Sequence, residues 1–210
     1  MRRRIALLVS ALTIAFSLTL GRAEALQAAD PSSLINNLVA EAIANIAGQQ
    51  AQDTEREAKF RALLESGFDI PRISRFVLGR YWINASDQER QRFASLFEEW
   101  IVRSYTARFK EYSGETIKVT GSRTESETST VVLSQFIKAD APPAKVEWHV
   151  RKLPDGSFKI IDVAVEGISM ALAQRDEIAS VADRSGGTTE GLNKALEARL
   201  AGTTEASAAH

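Results

Sequence analysis

Apolar side chains recur at every third or fourth position from residue 30 to about residue 114. They alternate with polar ones from 115 to 165, and helical spacing returns after Gly167. Asp30 and Pro31 supply an N-cap and a first-turn proline, and Leu34, Ile35, Leu38, Val39, Ala42, Ile43 and Ile46 follow on one face up to Gly48. A second helix is predicted from near Asp53 to Gly67, carrying Phe60, Leu63 and Leu64. Asp69 and Pro71 open a third, short one with Ile73, Phe76 and Val77, ending around Gly79. The longest helix begins at a capping box, Ser86-Asp87-Gln88-Glu89, in which serine and glutamate each satisfy an orphan backbone donor. Behind it Phe93, Leu96, Phe97, Trp100, Ile101, Ser104, Tyr105, Arg108, Phe109 and Tyr112 keep an unbroken spacing of three and four, with Arg92, Glu98, Glu99 and Arg103 opposite. Gly114 ends it.

Four strands are predicted next: Glu115 to Thr124, Thr128 to Lys138, Ala144 to Leu153 and Ser157 to Val165. Pro154-Asp155-Gly156 is a turn signal that makes a hairpin of the last two. In one of them Val146, Trp148 and Val150 alternate with Lys145, Glu147, His149 and Arg151; in its partner Ile161, Val163 and Val165 take the apolar phase. Two further helices follow, the first bearing Leu172, Ile178 and Val181, the second Leu192, Leu196 and Leu200, with Gly186-Gly187 as the stop between them. Helices, then strands, then helices predict an α+β fold: a curved antiparallel sheet of about four to five strands packed against several helices.

The first 25 residues fall outside this scheme. Arg2, Arg3 and Arg4 precede an apolar run from Ile5 to Leu20, and Ala23-Glu24-Ala25 supplies a small-x-small cleavage pattern. As a helix the run would reach about 24 Å, short of the roughly 30 Å hydrocarbon core of a bilayer. The expected organisation is a signal peptide over 1–25, one domain over 26–200 and a disordered tail over 201–210. The net charge of −1 is unlike the strongly basic surface of a general nucleic-acid binder. Removing residues 1–25 takes away four Arg and one Glu, which leaves −4. With no cysteine, disulfides, thiolate metal sites and a cysteine nucleophile are excluded, and the two histidines, His149 and the terminal His210, leave little for a triad. There is no glycine-rich phosphate loop. Asp162 and Glu166 share one face of a strand and, with His149, form the one conceivable acid–base set. Phe76, Tyr81, Trp82, Phe97, Ile101, Tyr105, Trp148 and Met170 form a large stock of bulky apolar residues, which fits either a closed core or the wall of a ligand pocket. Periodicity does not separate the two.

Phe68-Asp69-Ile70 followed by Val77-Leu78-Gly79-Arg80-Tyr81-Trp82, the run from Ser86 to Phe93, Glu111-Tyr112-Ser113-Gly114, and Lys159 to Met170 with its Glu-Gly-Ile-Ser-Met segment together resemble MlaC-type periplasmic lipid-binding proteins, the toluene-tolerance auxiliary family of ABC transporters. The resemblance spans most of residues 30–200 in order. It implies a non-enzymatic lipid carrier with no cofactor. Such a carrier works between an outer-membrane lipoprotein complex and an inner-membrane ABC transporter or lipid exporter. Carried over by position, Val146, Trp148, Val150, Ile161 and Val163 fall on the sheet and Ile168 and Met170 on the segment after it. With Phe97, Ile101 and Tyr105 of the long helix these are the pocket candidates, beside Phe76, Tyr81 and Trp82. Phe158 stands where the family often has Trp. The stretch Ala171 to Glu177 also departs from the usual pattern and is closer to the hopanoid-associated HpnM branch, so hopanoid and phospholipid are both implied as cargo. A ligand-free envelope adaptor and a lipid-modifying enzyme are the competing readings.

Overall fold

A computed structural model describes residues 30–46, 53–109 and 112–208; the expected signal peptide lies outside them. Six helices and five strands follow in the order α1 (Pro31–Asn45), α2 (Asp53–Gly67), α3 (Ile70–Leu78), α4 (Asp87–Phe109), β1 (Thr116–Ser126), β2 (Ser129–Lys138), β3 (Ala141–Lys152), β4 (Phe158–Val165), β5 (Ile168–Ser169), α5 (Met170–Arg184) and α6 (Thr189–Ala208). A single 3-10 turn, Gly79–Trp82, joins α3 to the loop before α4. The predicted caps form. Asp30 accepts from the amides of Ser32 and Ser33, and Glu89 and Ser86 bond each other's backbone amides at 2.7 and 3.2 Å. The last helix runs on to Ala208 instead of ending near Leu200, in keeping with the alanine and glutamate of that stretch and its lack of proline.

The strands form an antiparallel meander, β1-β2-β3-β4-β5, each paired with its neighbour in sequence. The fifth, a short strand past the four read from the pattern, completes the four to five expected. Glu166 and Gly167 both adopt positive φ, 49° and 81°, which makes a two-residue turn that folds Ile168 back onto Val165. The outer edge of β4 is thereby closed along its second half by β5. Along its first half Phe68 bridges Ile160, and the Asp69 amide donates to the Ile160 carbonyl at 2.9 Å.

One apolar cluster lies between the sheet and α1–α2, and includes Ile35, Leu38, Leu63, Leu64, Val102, Val132, Val150 and Ile160. A second joins α3, α4, α5 and α6 through Val77, Leu78, Phe93, Phe97, Ile178, Leu192 and Leu196. Polar ties reinforce both groups from outside. Arg61 of α2 bonds Glu98 and Glu99 of α4, Arg92 of α4 bonds Glu190 and Glu197 of α6, and Arg103 donates to the Leu200 carbonyl at 2.8 Å. Arg56 is the exceptional buried cation, 2% exposed. Its Nε donates to the Ile46 carbonyl at the C-cap of α1 and its Nη1 pairs with Asp53 at 3.1 Å, so it satisfies a helix end that apolar packing would strand. Arg56→Ala should lower the unfolding free energy by about 2–3 kcal/mol in chemical denaturation, the loss expected when hydrogen bonds from a buried charged donor are removed. A change within error would mean that α1 docks through its apolar face alone.

Candidate functional site

The two layers do not close on each other. Between them lies a cavity of about 470 Å³, inside the range of small-molecule sites. The helical wall is built by Leu38, Val39, Ala42 and Ile43 of α1, Phe60, Leu63 and Leu64 of α2, Ile73 of α3, and Phe97, Ile101 and Tyr105 of α4. Phe68 and Ile70, at the α2–α3 junction, complete it. The sheet wall is Ile117, Phe136, Trp148, Ile161, Asp162, Val163 and Val165, and Met170, Ala171 and Gln174 of α5 close one side. Ile117 pairs with Phe136 at one end of the sheet. There the partly exposed Phe136 and Ile43 stand beside the polar lining residues Tyr112, Glu115 and Thr116, which makes this end the mouth.

Seven of the thirteen sequence candidates line the cavity: Phe97, Ile101, Tyr105, Trp148, Ile161, Val163 and Met170. Ile161 and Val163 keep the phase read from the sequence, and Ile160 is the residue that strict alternation does not place on the same side. Val150 pairs with Ile160 and His149 with Asp162, so Ile161 is the extra residue of a β-bulge. The bulge shifts the phase of β4, so that Ile160 sits in the core while Ile161 and Val163 face the cavity.

The other six stand elsewhere, each for a packing reason. Val150 is fully buried in the sheet-side core against Ile160. Val146 is buried and pairs across the sheet with Ser134, whose Oγ accepts from Trp148 Nε1 at 2.9 Å. Phe76 is one helical step off the inward line of Ile73 and Val77, and its exposed ring carries the Arg175 guanidinium 5.1 Å from its centroid. Tyr81 belongs to the second apolar cluster, and its hydroxyl donates to Asp183. Trp82 is held between Arg75 and Arg90, 5.5 and 4.9 Å from its ring. Ile168, just past the tight turn, is 63% exposed at the rim. The α1 and α2 lining residues are the main ones the sequence reading missed. Their stripes were visible, but only as faces that had to be covered by something.

Asp162 and Glu166 of the conceivable acid–base set are engaged in structural hydrogen bonds. The Asp162 carboxylate accepts from Val163 N at 2.8 Å, Ala171 N at 2.9 Å and Ser169 Oγ at 2.6 Å, which fixes the corner from β4 into α5. Glu166 accepts from the Lys145 amide, and His149 lies opposite Val131 and Asp162 in register, on the other face from Trp148. Among the described residues no group of three or more histidine, aspartate or glutamate side chains could hold a metal ion, and no helix is long and apolar enough to cross a membrane. At the mouth, the Ser113 amide, 2.7 Å from Glu115 Oε2, is the main cause that holds the Glu115 carboxyl down to about 2, with help from the Ser113 hydroxyl and Lys138.

Residues 35–198 match the family described as MlaC protein. Among solved structures, a phospholipid-binding protein from Ralstonia solanacearum, determined in complex with a phospholipid, superposes with a TM-score of 0.70 at 22% identity. The match covers 82% of this chain and 98% of that one, and shows a shared fold.

Two outcomes test this geometry. Asp162→Ala should cost roughly 2–4 kcal/mol by urea titration, because three donors lose their acceptor together; a change under about 0.5 kcal/mol would contradict the hydrogen-bonded corner. Glu115 contributes stability that is present above the ordinary glutamate range and is lost as pH falls from about 4.5 towards about 2. The advantage of the parent over Glu115→Gln in thermal unfolding should therefore be full near neutrality and vanish across that interval. A difference that persists at the acid end would refute the assignment.

Proposed function

Because the chain belongs to the MlaC family, we propose that it is a periplasmic lipid carrier whose cavity shields the apolar part of one lipid while that lipid travels between membranes. The observation that carries the reading is the cavity itself: a space of about 470 Å³ lined almost wholly by aliphatic and aromatic side chains, with polar residues at its mouth. Lipid taken from a bilayer costs about 0.8 kcal/mol for each methylene left in water, so two chains of roughly thirty methylenes together would cost on the order of 25 kcal/mol. A carrier offsets that cost by burying the chains, and no catalytic group is required to do so. The carrier alone only equilibrates lipid; net movement needs a donor and an acceptor, here an outer-membrane lipoprotein complex and an inner-membrane transporter or exporter.

Two cargo classes have support. Phospholipid is favoured by the Ralstonia solanacearum protein that holds one on the same fold. Hopanoid is favoured by the segment Ala171 to Glu177, since two of its residues, Ala171 and Gln174, line the cavity where a rigid ring system would meet the wall.

Lipid extraction and native mass spectrometry of the gently purified protein should find one lipid per chain, and the extract identifies the class. Protein isolated without any lipid would favour the adaptor reading. Trp148→Ala should lower lipid content with a small loss of stability, because the indole faces replaceable contents. If it instead costs the about 3–5 kcal/mol of a core truncation with lipid content unchanged, the cavity is not the binding site. Turnover of the bound lipid would move the reading to an enzyme.

A further inference from the structure

We propose that the outer side of the α3–α5 seam is a docking surface for an anionic lipid bilayer. Phe76, Leu172 and Ile168 are 43%, 50% and 63% exposed. Arg175 covers the Phe76 ring at 5.1 Å, and Leu172 precedes Arg175 by one helical turn. Ile168 lies just across Ser169, whose Oγ accepts from the Leu172 amide at 3.0 Å. Arg72 lies one turn before Phe76 on α3. Among the described residues Arg72 and Arg175 make no ion pair, whereas Arg61, Arg80, Arg92 and Arg103 each hold a carboxylate. Asp176 and Glu166 are exposed acids beside them, and Arg75, exposed next to Phe76, adds a third guanidinium, so the patch keeps a positive excess on a chain whose net charge is −1.

This chemistry matches the boundary zone of a membrane. Apolar tips enter the acyl boundary, and guanidinium groups bond the phosphates around them. Three side chains are too few to fill a stable protein interface of about 800 Å² per partner, but they suffice for brief contact with a bilayer. Placement gives the contact its purpose, and in this respect the inference rests on the carrier reading. The inner side of the same two helices, through Ile73, Met170 and Gln174, walls the cavity, so docking by the outer side holds the cavity one helix layer from the lipid source.

Vesicle flotation measures the docking apart from the cargo. Parent protein should bind vesicles of equal parts phosphatidylglycerol and phosphatidylethanolamine more tightly than phosphatidylcholine vesicles, with the preference falling as salt rises. Arg72→Glu with Arg175→Glu should weaken binding to the anionic vesicles on the order of tenfold. Phe76→Ser with Leu172→Ser should weaken binding to either composition. Both pairs are partly or largely exposed, melting curves verify the fold, and every variant keeps the same N-terminal residues, so a difference reports the patch. Lipid co-purified per protein should stay at the parent level in both variants. Unchanged flotation in the folded variants overturns the proposal. So does a parent that floats with neither composition, in which case a loss of binding to envelope proteins by the same variants would assign the patch to a protein partner. Absence of co-purified lipid from the parent, with vesicle binding intact, would overturn the carrier reading and leave the docking surface standing.

Discussion

The bulge at Ile161 is the constraint from which the rest of the site follows. A regular β4 would place Phe158, Ile160, Asp162 and Ala164 on one face and Val163 and Val165 on the other. The inserted residue divides the strand into two phases. Its first half gives Phe158 and Ile160 to the core; its second half turns Val163 and Val165 to the cavity. Asp162, at the change of phase, is free to gather the amides and hydroxyl that launch α5. The Ile160 carbonyl, on the other side of the change, takes the Asp69 amide and so anchors the α2–α3 junction. One extra residue thus positions a sheet wall, a helix start and a helix junction.

The cavity stays open because the elements around it are held from outside as much as from within. Arg61 with Glu98 and Glu99 spans α2 and α4, and Arg92 and Arg103 span α4 and α6. Exposed ion pairs of this kind contribute little each. Their value here lies in direction, since they fix the spacing of helices whose facing apolar surfaces would gain from collapsing. Trp148 does the same on the sheet side: the bond from its indole to Ser134 lays the ring along the sheet rather than into the space.

The elements were legible in the sequence because each carries its own local signal. The capping box at Ser86, the Asp-Pro openings and the two-residue period from 115 onward are all read within a few positions. The site was half legible. Phe97, Ile101 and Tyr105 share a face of one helix, and Trp148 is in phase with its strand, so periodicity found them. Val146 and Val150 obey the same periodicity and are nevertheless buried, the second against a strand partner displaced by the bulge. Tyr81 and Trp82 are bulky enough to be pocket candidates, yet polar partners claim them: Asp183, distant in sequence, for Tyr81, and the nearby Arg90 for Trp82. Which apolar face meets a neighbour and which meets a void is a property of three-dimensional spacing, and no local pattern encodes it.

The order of the elements also has a bearing on how the chain acquires its shape. The sheet is assembled from hairpins between consecutive strands, the cheapest closures available to a polypeptide, and its pairing needs nothing from residues 31–109. The contacts that roof it are the distant ones: Phe68 to Ile160, α3 to α5 and α4 to α6. The amino-terminal helices cover one another only in part, α1 on α2 and α2 and α3 on α4, and their remaining apolar stripes face the sheet and α5. The hollow is therefore the seam between two halves of the chain, walled by helices from the first and by strands and one helix from the second.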